Sequence, residues 1–281
     1  MAKSSITKRF LPLIIFLLLP TAAVAQSDTV GVNSAIKGDV TISSGDQQAK
    51  KAVIKDPVFL GDVVNAEQLS SLQLLLVDQT VFTVGPDSSL TINEFVYDPS
   101  KKNNSMTASV QKGMFRFMSG GISKTNPADV SVNTPVASMG VRGTIVEGLV
   151  GLEAIEIARV AGVLSEDGEA DASGATLFIL RGPGRNHTST NRRGEISVTS
   201  AGVTKTTNES GMAIFVSDID SPPSDPFRLT FIAYKAFQDR LRTGPTQPES
   251  FEPFNLGISG APGLQIVCND GCDCRLTPVN E

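Results

Sequence analysis

Hydrophobic and polar positions alternate in short stretches from Val30 to about Val150, and each stretch ends in a cluster of Gly, Pro, Asn or Asp. The runs "DVTIS", "SLQLLLVD", "TVFTVG", "SLTINEFVYD", "MTASV", "GMFRFMSG" and "DVSVN" read as β-strands with turns between them. In "GMFRFMSG" the period of two puts Phe115 and Phe117 on one face and Met114, Arg116 and Met118 on the other. The first face is expected in a core and the second at least partly in water. "LQLLLV" is apolar at both parities, which predicts a central strand covered on both sides.

A second β-rich block runs from about Ala175 to Val216 through "ATLFILRG", "GEISVTS", "GVTKTT" and "GMAIFVS". The two blocks are separated by "SEDGEADASG", where Glu166, Asp167, Glu169 and Asp171 crowd together without the ligand spacing of an EF-hand. A hydrated acidic loop is the expectation there. After Asp218 comes the proline-rich "DIDSPPSDP". Asp225 then suits a helix N-cap and Pro226 the first helical position, with Phe227, Phe231, Tyr234, Phe237 and Leu241 at steps of three and four. Gly244 and Pro245 end this helix, whose aromatic stripe is expected to dock on the protein's own sheet. The domain plan is therefore a leader over 1–25, a β-domain over 26–150, a second β-block over 151–218 packed on or continuing the first, a linker and helix over 219–245, and a loose tail over 246–281.

Charge and composition narrow the function. Lys3, Lys8 and Arg9, the run "FLPLIIFLLLP" and Ala23-Val24-Ala25 read as a secretory signal peptide cut after Ala25. The product is expected in the periplasm or outside the cell, with no membrane span after cleavage. Loss of three basic residues makes a chain of net charge −5 more acidic still, which argues against nucleic acid as a partner. One histidine, His187, and no G-x-S-x-G elbow leave no Ser-His-Asp device, and the same lone histidine makes a poor zinc set. No cofactor or metal site is expected.

The oddest local chemistry is "TPVASMGVRGT". Pro135 lacks an N–H and biases Thr134 toward extended backbone. Gly140 and Gly143 permit positive φ or close approach of a neighbouring strand, and Arg142 between them carries a five-donor guanidinium. Thr144 closes the run. The expectation is a structural corner at which Arg142 pins neighbouring strand ends, with partner binding as the alternative role. A basic hairpin with Arg181, Arg185, Arg192 and Arg193 is a candidate anion-binding patch on an acidic protein. In the tail, Cys268, Cys272 and Cys274 lie together, and a bridge from Cys268 to Cys272 or Cys274 is easier to close than one between Cys272 and Cys274.

The order "GDVVNAEQLSSLQLLLVDQTVFTVGPDSSLTINEF", "VQKGMFRFMSGGISK" and "VNTPVASMGVRGT" resembles the FecR domain family of exported bacterial β-proteins. The resemblance runs firmly over Val30 to Val150 and more weakly over the second block. Two positions depart from the family pattern: Gln79 stands where glycine is usual, and Met139 where an aliphatic residue is commoner. In the best understood members this domain is the periplasmic part of a membrane-anchored anti-sigma regulator that receives a signal from an outer-membrane transporter. The sequence shows neither the inner-membrane helix nor the sigma-binding segment of that relay. The resemblance therefore implies an exported, non-catalytic domain that recognises an envelope protein or polysaccharide, in sensing or surface assembly.

The fold expected is mainly β, a FecR-like domain rolled as a solenoid or closed as a sandwich, with a second β-block and one C-terminal amphipathic helix. An adhesive or structural surface protein is the first rival reading. A carbohydrate-active enzyme is the second, because paired carboxylates have no fixed sequence spacing.

Overall fold

The computed structural model describes residues 29–101, 103–125, 127–182, 194–230 and 240–241, together with the backbone of short strands at 254–255, 264–268 and 274–278. The chain begins with β1 (Thr29–Lys37), β2 (Val40–Ser44), β3 (Lys50–Lys51), β4 (Pro57–Phe59) and β5 (Asp62–Ala66). β6 (Ser71–Leu76), β7 (Val81–Val84), β8 (Ser88–Val96) and the long β9 (Ser105–Met118) follow, then the short helix α1 (Gly121–Thr125). Next come β10 (Val130–Asn133), β11 (Ser138–Arg142), β12 (Ile145–Val150) and helix α2 (Leu152–Val160). β13 (Thr176–Leu180), β14 (Glu195–Ser200), β15 (Val203–Thr207), β16 (Met212–Val216) and β17 (Phe227–Arg228) complete the body.

The strands form one sheet folded double, and β9 is where it folds. Its first part pairs with β8 and, in parallel, with β10, while its last part pairs antiparallel with β7 and β12. Gly113 stands at the change, with φ +82°. A Cβ there would lie 2.3 Å from Ser88 Oγ, so only glycine lets β8 come this close. One leaf runs β4-β1-β6-β7-β9-β12-β13-β16-β17 and the other β3-β2-β5-β8-β9-β10-β11-β14-β15. Both β-rich blocks of the sequence feed both leaves: β13 and β16 extend the first, β14 and β15 the second.

Alternation decides what lies between the leaves. Leu72, Leu74, Leu76, Phe82, Phe115, Phe117 and Phe178 of the first leaf face Leu90, Ile92, Met106, Val132, Met139 and Val198 of the second in a single buried cluster. Phe82 meets Phe117 edge-on at 5.5 Å between ring centroids, and Phe115 meets Phe178 in the same way at 6.4 Å. Each such side chain contributes roughly 2 kcal/mol through burial. The expected assignment of Phe115 and Phe117 to a core face holds.

The outer face of the first leaf is covered only in part. Ala154, Ile155 and Ala158 of α2 lie over Leu149, Leu177 and Ile179, joined by Leu229 and Leu241. Farther along that face Leu75 is 40% and Val77 56% exposed, so the prediction that "LQLLLV" is covered on both sides is corrected. β6 is a central strand with one dry face. Two further expectations change. "LEAIEIARV" forms α2, a helix that the period-two reading passed over, because small Ala154 and Ala158 let its backbone sit close on the sheet. No helix starts at Pro226, since Phe227 and Arg228 instead pair with Ala213 and Met212 and extend the leaf by one strand. Residues 231–239 of the expected helix, the leader, His187 and most of the tail lie outside the described residues.

Candidate partner-binding corner

The corner predicted from "TPVASMGVRGT" links β10, β11 and β12. Thr134 N–H donates to Ala137 O at 2.8 Å, and Ala137 N–H returns a bond to Thr134 Oγ1 at 3.2 Å, so the Thr-Pro turn closes on its own side chain. Thr176 Oγ1 reaches the same hydroxyl at 3.0 Å, tying the turn to β13. Val136, Ala137, Met139 and Val141 are buried, and Met139 is fully enclosed in the core between the leaves. Gly140 is opposite Ser197 of β14, and a Cβ there would lie 2.7 Å from Ser197 Oγ. Gly143 has φ +57° and open space around it. The first glycine therefore serves close approach and the second positive φ.

Thr144 ends the corner in a buried position. Its N–H donates to Ser119 Oγ at 2.9 Å and its carbonyl accepts from Ser119 N–H at 3.1 Å. Arg142 behaves differently. It is exposed at the end of β11, opposite Glu195, and among the described residues its side chain makes no hydrogen bond or ion pair. The expectation that Arg142 pins strand ends is thus corrected. The pinning is done by the Thr134 hydroxyl, the Ser119 hydroxyl on the Thr144 backbone and the close approach at Gly140, because short hydroxyls reach nearby backbone without the entropy cost of ordering a long side chain.

A charged cluster that the sequence reading missed lies on the outer face of the first leaf. Glu147 of β12 is fully buried beside Arg116 of β9, whose Nε and Nη2 donate to Glu147 Oε1 at 2.8 and 2.6 Å. Arg181 Nε stands 3.4 Å from Glu147 Oε2. Arg181 therefore leaves the expected basic hairpin to serve a buried carboxylate, and its side chain is only 14% exposed. Arg185, Arg192 and Arg193 lie outside the described residues. The signal that could have found the cluster was one acid in "TIVEGLV" and one base in "GMFRFMSG", each alone in an apolar strand.

A second missed hub is Asp78, which is buried in the turn after β6. Its Oδ1 accepts from Thr80 N–H at 2.8 Å, and its Oδ2 accepts from Thr80 Oγ1 at 2.8 Å and Ile122 N–H at 3.1 Å. The next residue, Gln79, has φ +69°, a backbone conformation that favours glycine. In the acidic loop Asp171 turns back on Ser173, whose N–H and Oγ both donate to Asp171 Oδ1, at 2.9 and 2.7 Å. These bonds hold its carboxyl below the ordinary carboxylate range. Among the described residues no three His, Cys, Asp or Glu side chains gather as a metal site, and no helix is long and apolar enough to cross a membrane. In the tail, backbone pairing of the strands at 264–268 and 274–278 sets Cys268 opposite Cys274, and Cys272 is outside the described residues.

A doubled sheet with a glycine-bearing corner between its strands defines a mainly-β domain. Residues 62–164 match the model of the FecR protein family, so the chain carries a FecR domain. The match starts at β5 and runs past Val150 through α2. Proteins of this family are in general non-catalytic and related to signalling. Among solved structures, the chain is similar to a candidate anti-sigma factor from Parabacteroides distasonis ATCC 8503, with 13% identity, a TM-score of 0.41, and 63% of each chain covered. A second structure of the same description gives 12% identity, a TM-score of 0.39, and coverage of 62% of this chain and 64% of that one. The chain thus spans less than two thirds of these relatives. A cell surface anchoring domain is 28% identical over 23% of this chain and 84% of its own, with a TM-score of 0.22. No match is found among curated proteins.

Proposed function

We propose that this chain is an exported, non-catalytic recognition domain that binds a protein of the bacterial cell envelope through the corner at Arg142. The observation that carries this reading is the division of labour in the corner. Thr134, Gly140 and Thr144 hold the strands, while Arg142 presents a guanidinium beside them that no other described residue engages. A planar cation with five donors is suited to a carboxylate on a partner, with which it can form paired hydrogen bonds. The FecR domain supports a signalling role for that contact, and the leader-like N-terminus supports export.

The test compares residues 26–281 with the Arg142→Ala and Arg142→Glu variants. Each is immobilised, exposed to an envelope extract, and its bound proteins are identified by mass spectrometry. One protein retained by the native chain and lost by both folded variants is the expected result. Equal retention by all three would remove Arg142 from the interface. Recovery of glycan alone would move the adhesive and polysaccharide readings forward.

A further inference from the structure

Among the described residues the doubled sheet has four edges, and they are not protected alike. β4 is three residues long and opens with Pro57, β17 has two residues, and β3 is only Lys50 and Lys51. Short edges carrying proline or lysine discourage strand pairing with other chains. The fourth edge, β15, is the five-residue "VTKTT", which is β-branched except for Lys205. It is the longest of the four and the richest in residues that favour strands.

The backbone groups that β15 offers can be named. Ala201 and Gly202 join β14 to β15 with φ +47° and +74°, a two-residue turn with both φ positive. In such a hairpin the flanking pair, Ser200 and Val203, is the hydrogen-bonded one, and bonded and non-bonded pairs alternate from there. Val203, Lys205 and Thr207 thus bond inward to β14, while the N–H and C=O of Thr204 and Thr206 point away from the sheet. The short Thr199 Oγ1 to Thr204 Oγ1 contact of 2.8 Å agrees, since side chains are closest at non-bonded pairs. Thr204 and Thr206 are exposed, and among the described residues their backbone groups have no partner.

We infer that β15 is a strand-addition site, which takes an extended segment of a partner protein bearing an acidic side chain opposite Lys205. Two residues of the incoming strand, spaced to match Thr204 and Thr206, complete four main-chain hydrogen bonds. Lys205 supplies the side-chain preference. It faces the core side of the edge, where its Nζ lies 2.5 Å from Oδ1 of the exposed Asp225. A second copy of this chain fits poorly. An antiparallel register that uses both rungs pairs Thr204 with Thr206 of the other copy and sets Lys205 against Lys205, a like-charge pair. Shifting the register to avoid that clash leaves a single rung. A shallow recess lined by Glu195, Thr206, Thr207, Asn208, Glu209, Met212 and Pro226 at the end of the strand can seat the next, uncharged side chain of the incoming segment.

This site deepens the reading of the protein as a partner-binding domain, but it uses β15 and not Arg142, so the two can fail separately. The probe is a short capped peptide of alternating valine and threonine with a central glutamate, and its control has a central lysine. Amide exchange of the chain 26–281 is followed at Thr204 and Thr206. The glutamate peptide should slow both amides about tenfold or more, with no change at the corner strands. Thr206→Pro removes one outward N–H and spares the ladder to β14, and it should abolish the protection. Lys205→Glu leaves the backbone intact and should switch the preference to the lysine peptide. No protection, or equal protection by both peptides, overturns the inference. Protection that appears without peptide and grows with protein concentration assigns the edge to a second copy and overturns it as well.

Discussion

Arg116 and Arg142 both flank β12, one beside it in the sheet and the other just before it in the chain. Arg116 is locked by two hydrogen bonds to the buried Glu147, while the Arg142 side chain reaches solvent with no hydrogen bond or ion pair among the described residues. The difference follows from where each strand places its side chains. Alternation sends Arg116 onto an outer face that α2, Leu229 and Leu241 partly close, so its charge needs a carboxylate to be tolerated there. Arg142 falls at the exposed end of β11, where water solvates its side chain. An unusual charge in a strand marks stability in the first case and availability in the second.

Substitutions can sharpen or break that contrast. The largest effect is expected from Glu147→Ala, which leaves Arg116 and Arg181 without their carboxylate and should cost about 3 kcal/mol of unfolding free energy. Urea titration followed by circular dichroism suits a chain with no tryptophan. Next, Gly148→Ala places a Cβ 2.2 Å from the Phe115 ring and should cost about 2 kcal/mol by the same titration. Thr134→Val keeps the shape of the corner but removes the acceptor for Ala137 N–H, for an expected loss of about 1 kcal/mol in thermal or chemical unfolding. Arg142→Ala should change stability by no more than about 0.5 kcal/mol. A loss after Arg142→Ala as large as that after Glu147→Ala would erase the distinction between the two arginines and return the corner to a purely structural role.

What the sequence made legible was governed by local rules. Alternation placed Phe115 and Phe117 in the core, and turn residues divided the strands, because both act within a few residues. The family motif located the corner and identified Gln79 as a departure at a position whose φ is positive. The errors came from long-range pairing. Phe227 carries a helical spacing signal, yet a free sheet edge at Ala213 claims it as a strand. Glu147 and Arg116 are far apart in sequence, so their bond became visible only once β9 and β12 were neighbours. The reach and donors of Arg142 suggest a pin, whereas the smaller hydroxyls of Thr134 and Ser119 lie closer to the groups that need bonding.

The sharing of β9 between both leaves also sets an order of events in folding. Gly113 pairs with Val150 and Met106 with Val130, so neither half of β9 has both its neighbours until residues far along the chain have arrived. β11 must then wait for β14, and β13 for β16. Such non-local pairing puts refolding on the order of milliseconds to seconds, later than the closing of the local hairpins. Until β9 is enclosed, Phe82, Phe115 and Phe117 stay exposed, and that interval is when the nascent domain is most open to aggregation or to capture by a chaperone.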